Sequence, residues 1–588
     1  MSKIEVPVLI VGGGGCGLSS SIFLSNLGVE HLLVERHPST SLLPKAHYLN
    51  QRTMEAFRQH GVADAITAVG APIEKFGKVR WTTSMGGDGP LDQRVIHEMD
   101  AFGGGSLRPR YEADSPCMSS NYPQLRLEPL LRAEAERRAP GQIRYGHDVT
   151  GWEQGDDGVT ATVQVAETGE IVTVKARYMI AADGGRTVGP KLGVEMAGPT
   201  DMVDMVSTHF SCDLSQYWDD GTLINWFLNP EGADSWGSGV VVQMGPTWGK
   251  HSEEFVLHFA FGTDDEERFN EEAIIPRMKA MLKLPDIEPK VHKVSHWILE
   301  RVVAQQWRYG DIFLAGDAAH RQPPTSGLGL NTGIQDAYNL TWKLAAVLNG
   351  AASDTLLDSY EGERKPVSTD GADWALLAFM NHGVIDAGIG LVPGAPVEIN
   401  RGAFEALFSD SRLGRALRAR AEVTIGTQTW EFQAHDVEIG FTYEGGAVVD
   451  DGSAPVHRDD MGREYQPSTK PGHRLPHAWL ERDGRRVSTH DLTGDRGGFA
   501  LITGTAGNDW SAAANDVAEK FGVTITTVRI GGDGDYADVE GTWANQCEIS
   551  DSGAILVRPD NHVGWRSQAE ADNPTEVLAD ALTRILAS

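Results

Sequence analysis

The residues best spaced for chemistry stand near the N-terminus. Gly12–Gly13–Gly14–Gly15–Cys16–Gly17 carries the pattern GxGxxG at Gly12, Gly14 and Gly17, with Gly15 inside it. Glycines there let the chain reverse tightly, let backbone approach a pyrophosphate, and let the next helix pack on a sheet. The helix N-terminus then offers unpaired N–H groups and a positive dipole end to the phosphates. Glu35, followed by Arg36, comes 18 residues after Gly17. A carboxylate there accepts hydrogen bonds from both ribose hydroxyls of an adenosine and repels a 2′-phosphate, which favours FAD or NAD over NADP. A glycine turn that binds nothing is the blander reading, and the flanking strand, helix and acid weigh against it.

To hold these groups the chain needs a strand before the turn, a helix after it, and a second strand ending at the acid. Val6–Val11, Leu18–Leu27 and His31–Val34 have those patterns, giving a parallel pair with a crossover helix. Arg52–Gly61 and Leu127–Arg138 read as helices, and Thr160–Val165 with Ile171–Ile180 as a hairpin. From about 88 to 117 the chain reads as loops. Residues 200–300, rich in Trp, Val and Phe, suit a mostly antiparallel sheet forming a separate layer. Asn331–Leu348 predicts a long helix with Ile334, Ala337, Tyr338, Thr341, Leu344, Ala345 and Leu348 on one face. A Gly/Asp/His/Pro-rich linker near 440–475 precedes an α/β tail. Its strands are Phe499–Thr503, Val523–Val528 and Ala554–Val557, and its helices Asp509–Phe521 and Pro574–Leu586.

The 588 residues carry 51 basic and 82 acidic side chains, a formal charge of −31. Such a field repels phosphate backbones and anionic lipid, which argues against nucleic-acid and membrane partners. Cys16, Cys117, Cys212 and Cys547 are far apart, without CxxC spacing. That disfavours a zinc ribbon, a dithiol centre or a disulfide-built secreted fold, and no other cluster suggests a metal. The N-terminus lacks the order of a signal peptide, and no apolar run reaches about 20 residues, so a cytoplasmic protein is expected.

A second segment runs Gly316–Asp317–Ala318–Ala319–His320, then Pro323–Pro324, then Gly327–Leu328–Gly329–Leu330–Asn331. With the first turn and an intermediate Asp183–Gly184–Gly185, it resembles the FAD-dependent aromatic hydroxylases, typified by para-hydroxybenzoate hydroxylase and phenol hydroxylase. The resemblance implies that Asp317 bonds the ribityl chain, and that Leu330 and Asn331, after Gly329, present backbone to the isoalloxazine. It assigns Asp183 to the motif associated with both FAD and the nicotinamide. Lys45–Ala46–His47 through Glu55 is similar to a segment of bacterial chlorophenol hydroxylases, with Lys45 at the family's flavin-contacting arginine. Gln124 falls at another flavin-contacting position. The tail resembles the thioredoxin-like domain of the phenol-hydroxylase group, here without CxxC.

The implied fold is α/β. A Rossmann-like FAD domain takes residues 1–75, 120–190 and 300–400, and an antiparallel substrate sheet takes 76–119 and 191–299. A helical segment and linker occupies 401–460, and a thioredoxin-like domain 461–588. The implied reaction hydroxylates a substituted phenol, ortho to its hydroxyl, with NADPH or NADH, O₂ and a flavin C4a-hydroperoxide. His47 aligns with the active-site aspartate of phenol hydroxylase, and an imidazole of pKa ~6.5 can take the phenol proton. Pro324 is where the family places a carbonyl near the substrate oxygen. Trp226, Trp236, Met244, His258 and Phe259 are wall candidates from the sheet, although aromatic residues on strands more often form core. A homodimer or homotetramer is expected. Rival readings are a hydroxylase of larger polyketide aromatics and a non-catalytic dinucleotide-binding protein. A disulfide reductase shares the first motif but needs the missing CxxC.

Overall fold

The computed structural model describes residues 2–231, 235–494 and 496–587. Ser2–Val11 is the central strand of the main sheet. It runs parallel to His31–Glu35 on one side and to Ile171–Ala181 on the other. Ile312–Leu314 and Ile143–Tyr145 extend the parallel set outward. Parallel strands covered on both faces must be apolar along their length. Val8, Leu9, Ile10, Leu33, Met179 and Ile180 are wholly buried, each stabilising by about 1.5–3 kcal/mol. The strands end together, with Gly12 N donating to Val34 O and Ala315 N to Ala181 O. The segments after them therefore open on one edge of the sheet, where ligands bind in such folds.

Two helices lead away from that edge, Gly15–Asn26 and Leu328–Leu348. They pack closely because the contact is made of small residues. A Cβ on Gly333 would lie 3.7 Å from Cys16 Cβ on the first helix. The second helix starts three residues before the expected Asn331, because Ser326 and Gly327 both take φ of +62° and turn the chain sharply at its entrance.

The second sheet has seven strands in the order Lys290–Ile298, Asp204–Ser211, Glu254–Phe261, Val240–Gly245, Thr222–Phe227, Lys78–Thr82 and Val95–Asp100. All neighbours are antiparallel except 222–227 with 78–82. One face packs Phe210, Val241, Phe255, Leu257 and Phe259 on the helix Glu271–Leu282. The other carries Trp226, Val240, Val242, Met244 and Val256. The loop reading of 88–117 is corrected here: Val95–Asp100 is a strand and Arg108–Asp114 a helix. The strand lies at the sheet edge and is mostly half-exposed, so its apolar alternation is diluted.

A helix of 32 residues, Asp358–Ile389, runs from beside Leu328–Leu348 to the second sheet. In the tail, Phe499–Thr503 pairs parallel with Ile525–Arg529 and antiparallel with Ala554–Val557, which pairs with Val563–Ser567. Taken in chain order the strands lie 4-3-1-2 with the third reversed, and helices Asn508–Phe521 and Pro574–Leu586 accompany them. This is a thioredoxin-like topology.

The one-sided reading of the long helix is also corrected. Leu328–Leu348 is buried nearly all round, including Asn331, Gln335, Asp336, Asn339 and Lys343. Its polar side meets the tail through ions. Glu363 accepts from Lys343 Nζ at 2.7 Å, from Asn339 Nδ2 at 2.7 Å and from both Arg558 Nη atoms at 2.8 Å. Arg558 also holds Asp560, and Glu55 holds Arg52 and Arg474. Among the described residues, no helix is long and apolar enough to cross a membrane.

Candidate active site

The glycine turn is fixed by contact. Gly12 has φ +112°, and a Cβ there would lie 2.2 Å from Ala182 O, while one on Gly17 would lie 2.0 Å from Gly12 O. No larger residue fits either place without opening the turn. At Gly14 a Cβ would meet only Glu128 Oε1, at 3.5 Å, so this is the turn's open side. Glu35 is half-buried and fixed by Gly13 N at 2.8 Å on one oxygen and His37 N at 2.8 Å on the other. The oxygen bonded to His37 N also takes His37 Nδ1 at 2.5 Å, so the one bonded to Gly13 N is the oxygen that keeps a further lone pair for a ribose hydroxyl. Arg36 beside it is exposed.

The second motif lies over the first. A Cβ on Gly15 would come within 2.7 Å of Leu330 Cδ1, so the two helix N-termini converge. Gly329 and Leu330 are half-exposed and Asp317 is exposed. Asp317 has no hydrogen-bond partner for its carboxylate among the described residues. Asn331 is fully buried: its side chain donates to Tyr48 O and Gly327 O and accepts from Asn50 N. It pins the segment after His47 to the helix. Pro324 is exposed, with its carbonyl accepting Gly327 N at 3.1 Å. Asp183 turns into its own loop and accepts from Gly185, Thr187 and Val188 N–H groups.

Lys45, Ala46 and His47 form the adjoining rim. Ala46 and Gln124 are joined twice, Gln124 N to Ala46 O at 2.7 Å and Ala46 N to Gln124 Oε1 at 3.4 Å. Tyr48–Leu49 pairs with Ser120–Asn121. That pairing brings Asn121 Oδ1 to 2.7 Å from His47 Nδ1. The amide oxygen only accepts, so Nδ1 carries the proton and Nε2 is the free base. Burial lowers the His47 pKa from its ordinary value, partly offset by Asn121.

Of the sheet candidates, His258 shares the face of Val256 and Met244 and is half-buried. Glu254, on the same face of that strand, accepts from Arg126 Nη2 at 2.9 Å, which brings the segment from Asn121 to Arg126, and His47 bonded to it, to this side of the sheet; burial lowers the His258 pKa. Trp226 and Trp236 meet edge to face at 4.8 Å and both pack on His382. Met244 is buried in the same core. Phe259 is corrected: it lies on the opposite face, against Met278 and Met281.

Other contributors were not singled out from the sequence. Asn121 sets the His47 tautomer. Glu128 ties Ser41 N and Gln124 to the turn, and burial pushes its carboxyl up; its spacing of four from Gln124 put it on the same helical face. Tyr145 OH donates to Gly13 O. Asp336, fully buried, accepts from Gly316 N, His320 Nε2 and Arg364 Nε. His209, Glu254 and His292 bring ligand atoms within 4.8 Å of one another. Arg126, however, donates to Glu254 Oε2 at 2.9 Å, so a guanidinium already takes the place a cation would need.

A parallel sheet, a tight glycine turn, an acid at the second strand end and a second helix entrance over the turn define a dinucleotide-binding flavoprotein. The comparisons agree. Residues 5–375 match the family model for the FAD binding domain, and residues 468–588 that for the aromatic-ring hydroxylase C-terminal region. The chain is 34% identical over 589 residues to the 2,4-dichlorophenol 6-monooxygenase of Delftia acidovorans, covering 99% of this chain and 98% of that one. It is 34% identical over 598 residues to the tetracenomycin A2 monooxygenase-dioxygenase of Streptomyces glaucescens, covering 100% and 98%. The crystal structure of the flavin-dependent monooxygenase PieE with FAD and substrate superposes with a TM-score of 0.92 at 36% identity, covering both chains fully. This chain belongs to the FAD-dependent aromatic-ring monooxygenases.

Proposed function

We propose that the protein hydroxylates a substituted phenol ortho to its hydroxyl group, with FAD in the cleft and NADH or NADPH as electron donor. The observation that carries this reading is the His47–Asn121 pair at the cleft rim: a half-buried imidazole whose tautomer leaves Nε2 bare. When bound, the flavin would take electrons from the nicotinamide and pass one atom of O₂ to an electron-rich ring carbon. His47 Nε2 takes the phenol proton, which raises electron density at the carbons beside the oxygen. The lowered pKa keeps the imidazole neutral, and so able to accept, at neutral pH.

Other residues hold the partners in register. Gly14, Gly15 and the helix entrance receive the pyrophosphate, and Glu35 the adenosine ribose. Asp317 would bond the ribityl chain, the N–H groups at Leu330 and Asn331 would hold the flavin ring, and Lys45, Ala46 and Gln124 would hold it as well. The apolar sheet face around Val242, Met244 and Val256 excludes water from the reacting ring. A larger polycyclic phenol is a second reading, favoured by the likeness to the tetracenomycin enzyme.

The test is a panel of phenols with the flavin-loaded protein, following nicotinamide oxidation and the identity of the product. Stimulated oxidation with a catechol product is expected. Oxidation that yields only hydrogen peroxide with every phenol would overturn the proposal.

A further inference from the structure

We infer that the site is built for a phenol that carries a second oxygen able to accept a hydrogen bond, such as an aryl ketone. This rests on the phenol reading above and adds a second polar group, on the sheet face beside His47. Ser207 and His258 are paired across neighbouring strands. Ser207 Oγ lies 3.0 Å from Trp297 Nε1 and 2.8 Å from His258 Nδ1. An indole N–H can only donate, so Ser207 receives that bond; the hydroxyl's own proton finds no other acceptor among the described residues and goes to His258 Nδ1. The proton of His258 is then on Nε2.

His47 has the converse arrangement, with its proton on Nδ1 toward Asn121 and a bare Nε2. One imidazole thus accepts and the other donates. Neither Nε2 bonds to a described residue, and neither is among the sealed-off polar atoms without partners. Both therefore open on accessible space. Burial keeps His258 neutral at neutral pH, its pKa lowered to about 3, so its polarity does not change near neutrality.

A plain alkyl- or halophenol satisfies His47 and leaves the His258 N–H against carbon. A ligand that withdraws that N–H from water without replacing the bond loses affinity. A carbonyl oxygen on the ring completes both walls. The same feature would suit hydroxylated polycyclic ketones.

The test is calorimetric titration of the flavin-loaded protein with ortho-, meta- and para-hydroxyacetophenone, each against the ethylphenol of the same substitution. At least one ketone is expected to bind about tenfold more tightly than its ethyl partner. That ratio should fall to near one in His258→Phe and recover in His258→Gln, which keeps an N–H. If His258→Phe does not fold, Ser207→Ala frees the ring to change tautomer and should lower the ratio as well. Equal binding of ketone and ethyl partners by the wild type, or a ratio untouched by these variants, overturns the inference and leaves the phenol reading standing. Failure of every phenol to bind would overturn the phenol reading and this inference with it.

Discussion

The cleft and the seam beneath the tail are both lined with charged and polar groups, and they use them differently. In the seam, Glu363, Lys343, Arg558 and Asp560 are at most 1% exposed and are bonded to one another. In the cleft, His47 and His258 are each held on one nitrogen and free on the other, and Asp317 is exposed. Buried ions paired in full are architecture, because removing one partner strands the other in a medium that cannot solvate it. Groups held on one side only are poised for something that arrives.

The contrast can be broken at several points. Arg558→Met leaves Glu363 and Asp560 short of their main cation. It should cost about 3–5 kcal/mol of stability, seen as a lower midpoint in thermal unfolding; a wild-type midpoint would show that the seam does not hold the tail. In the cleft, His47→Gln should slow hydroxylation by about 100-fold or more while bound flavin and unfolding midpoint stay as they were. Undiminished turnover would remove His47 as the base.

Acid separates the two regions by another route. Burial depresses His490 to about 3 and His477 to about 2. Both stay neutral in the fold while the unfolded chain takes up protons below ~6.5. Stability should therefore fall as pH drops from 7 to 5, by up to about 1.4 kcal/mol per pH unit for each histidine. Denaturant titrations at each pH would read this, and a flat profile would contradict it. The acid limb of the hydroxylation rate should lie below the ordinary imidazole range, since burial lowers His47 as well. The smallest effect is expected at Glu35→Gln, which keeps the position but weakens charge-assisted bonds to ribose. Flavin should bind about tenfold less tightly, measured by fluorescence on reloading the stripped protein.

Much of the first motif was legible because its chemistry is local. The turn, the helix and Glu35 lie within one supersecondary unit, and the glycines leave a pattern that needs no tertiary knowledge. Asn121 and Asp336 left no such trace. Asn121 acts through His47, 74 residues away, and Asp336 through partners on three separate elements, and an asparagine or a helical aspartate reads as a surface residue until the fold brings such partners in. The same blindness affected the polar side of Leu328–Leu348, which looked solvated because the tail that covers it comes some 200 residues later. The edge strand Val95–Asp100 was missed because half-exposed strands mix their apolar pattern with charge.

The helix Asp358–Ile389 is a strut between the main sheet and the second sheet. Near its start Arg364 holds Asp336, which holds the turn at Gly316. Near its end His382 lies against Trp226 and Trp236. The two points are 18 residues apart in one helix, about 27 Å at the usual rise. One helix therefore fixes the spacing between the turn at Gly316 and the tryptophan pair of the second sheet.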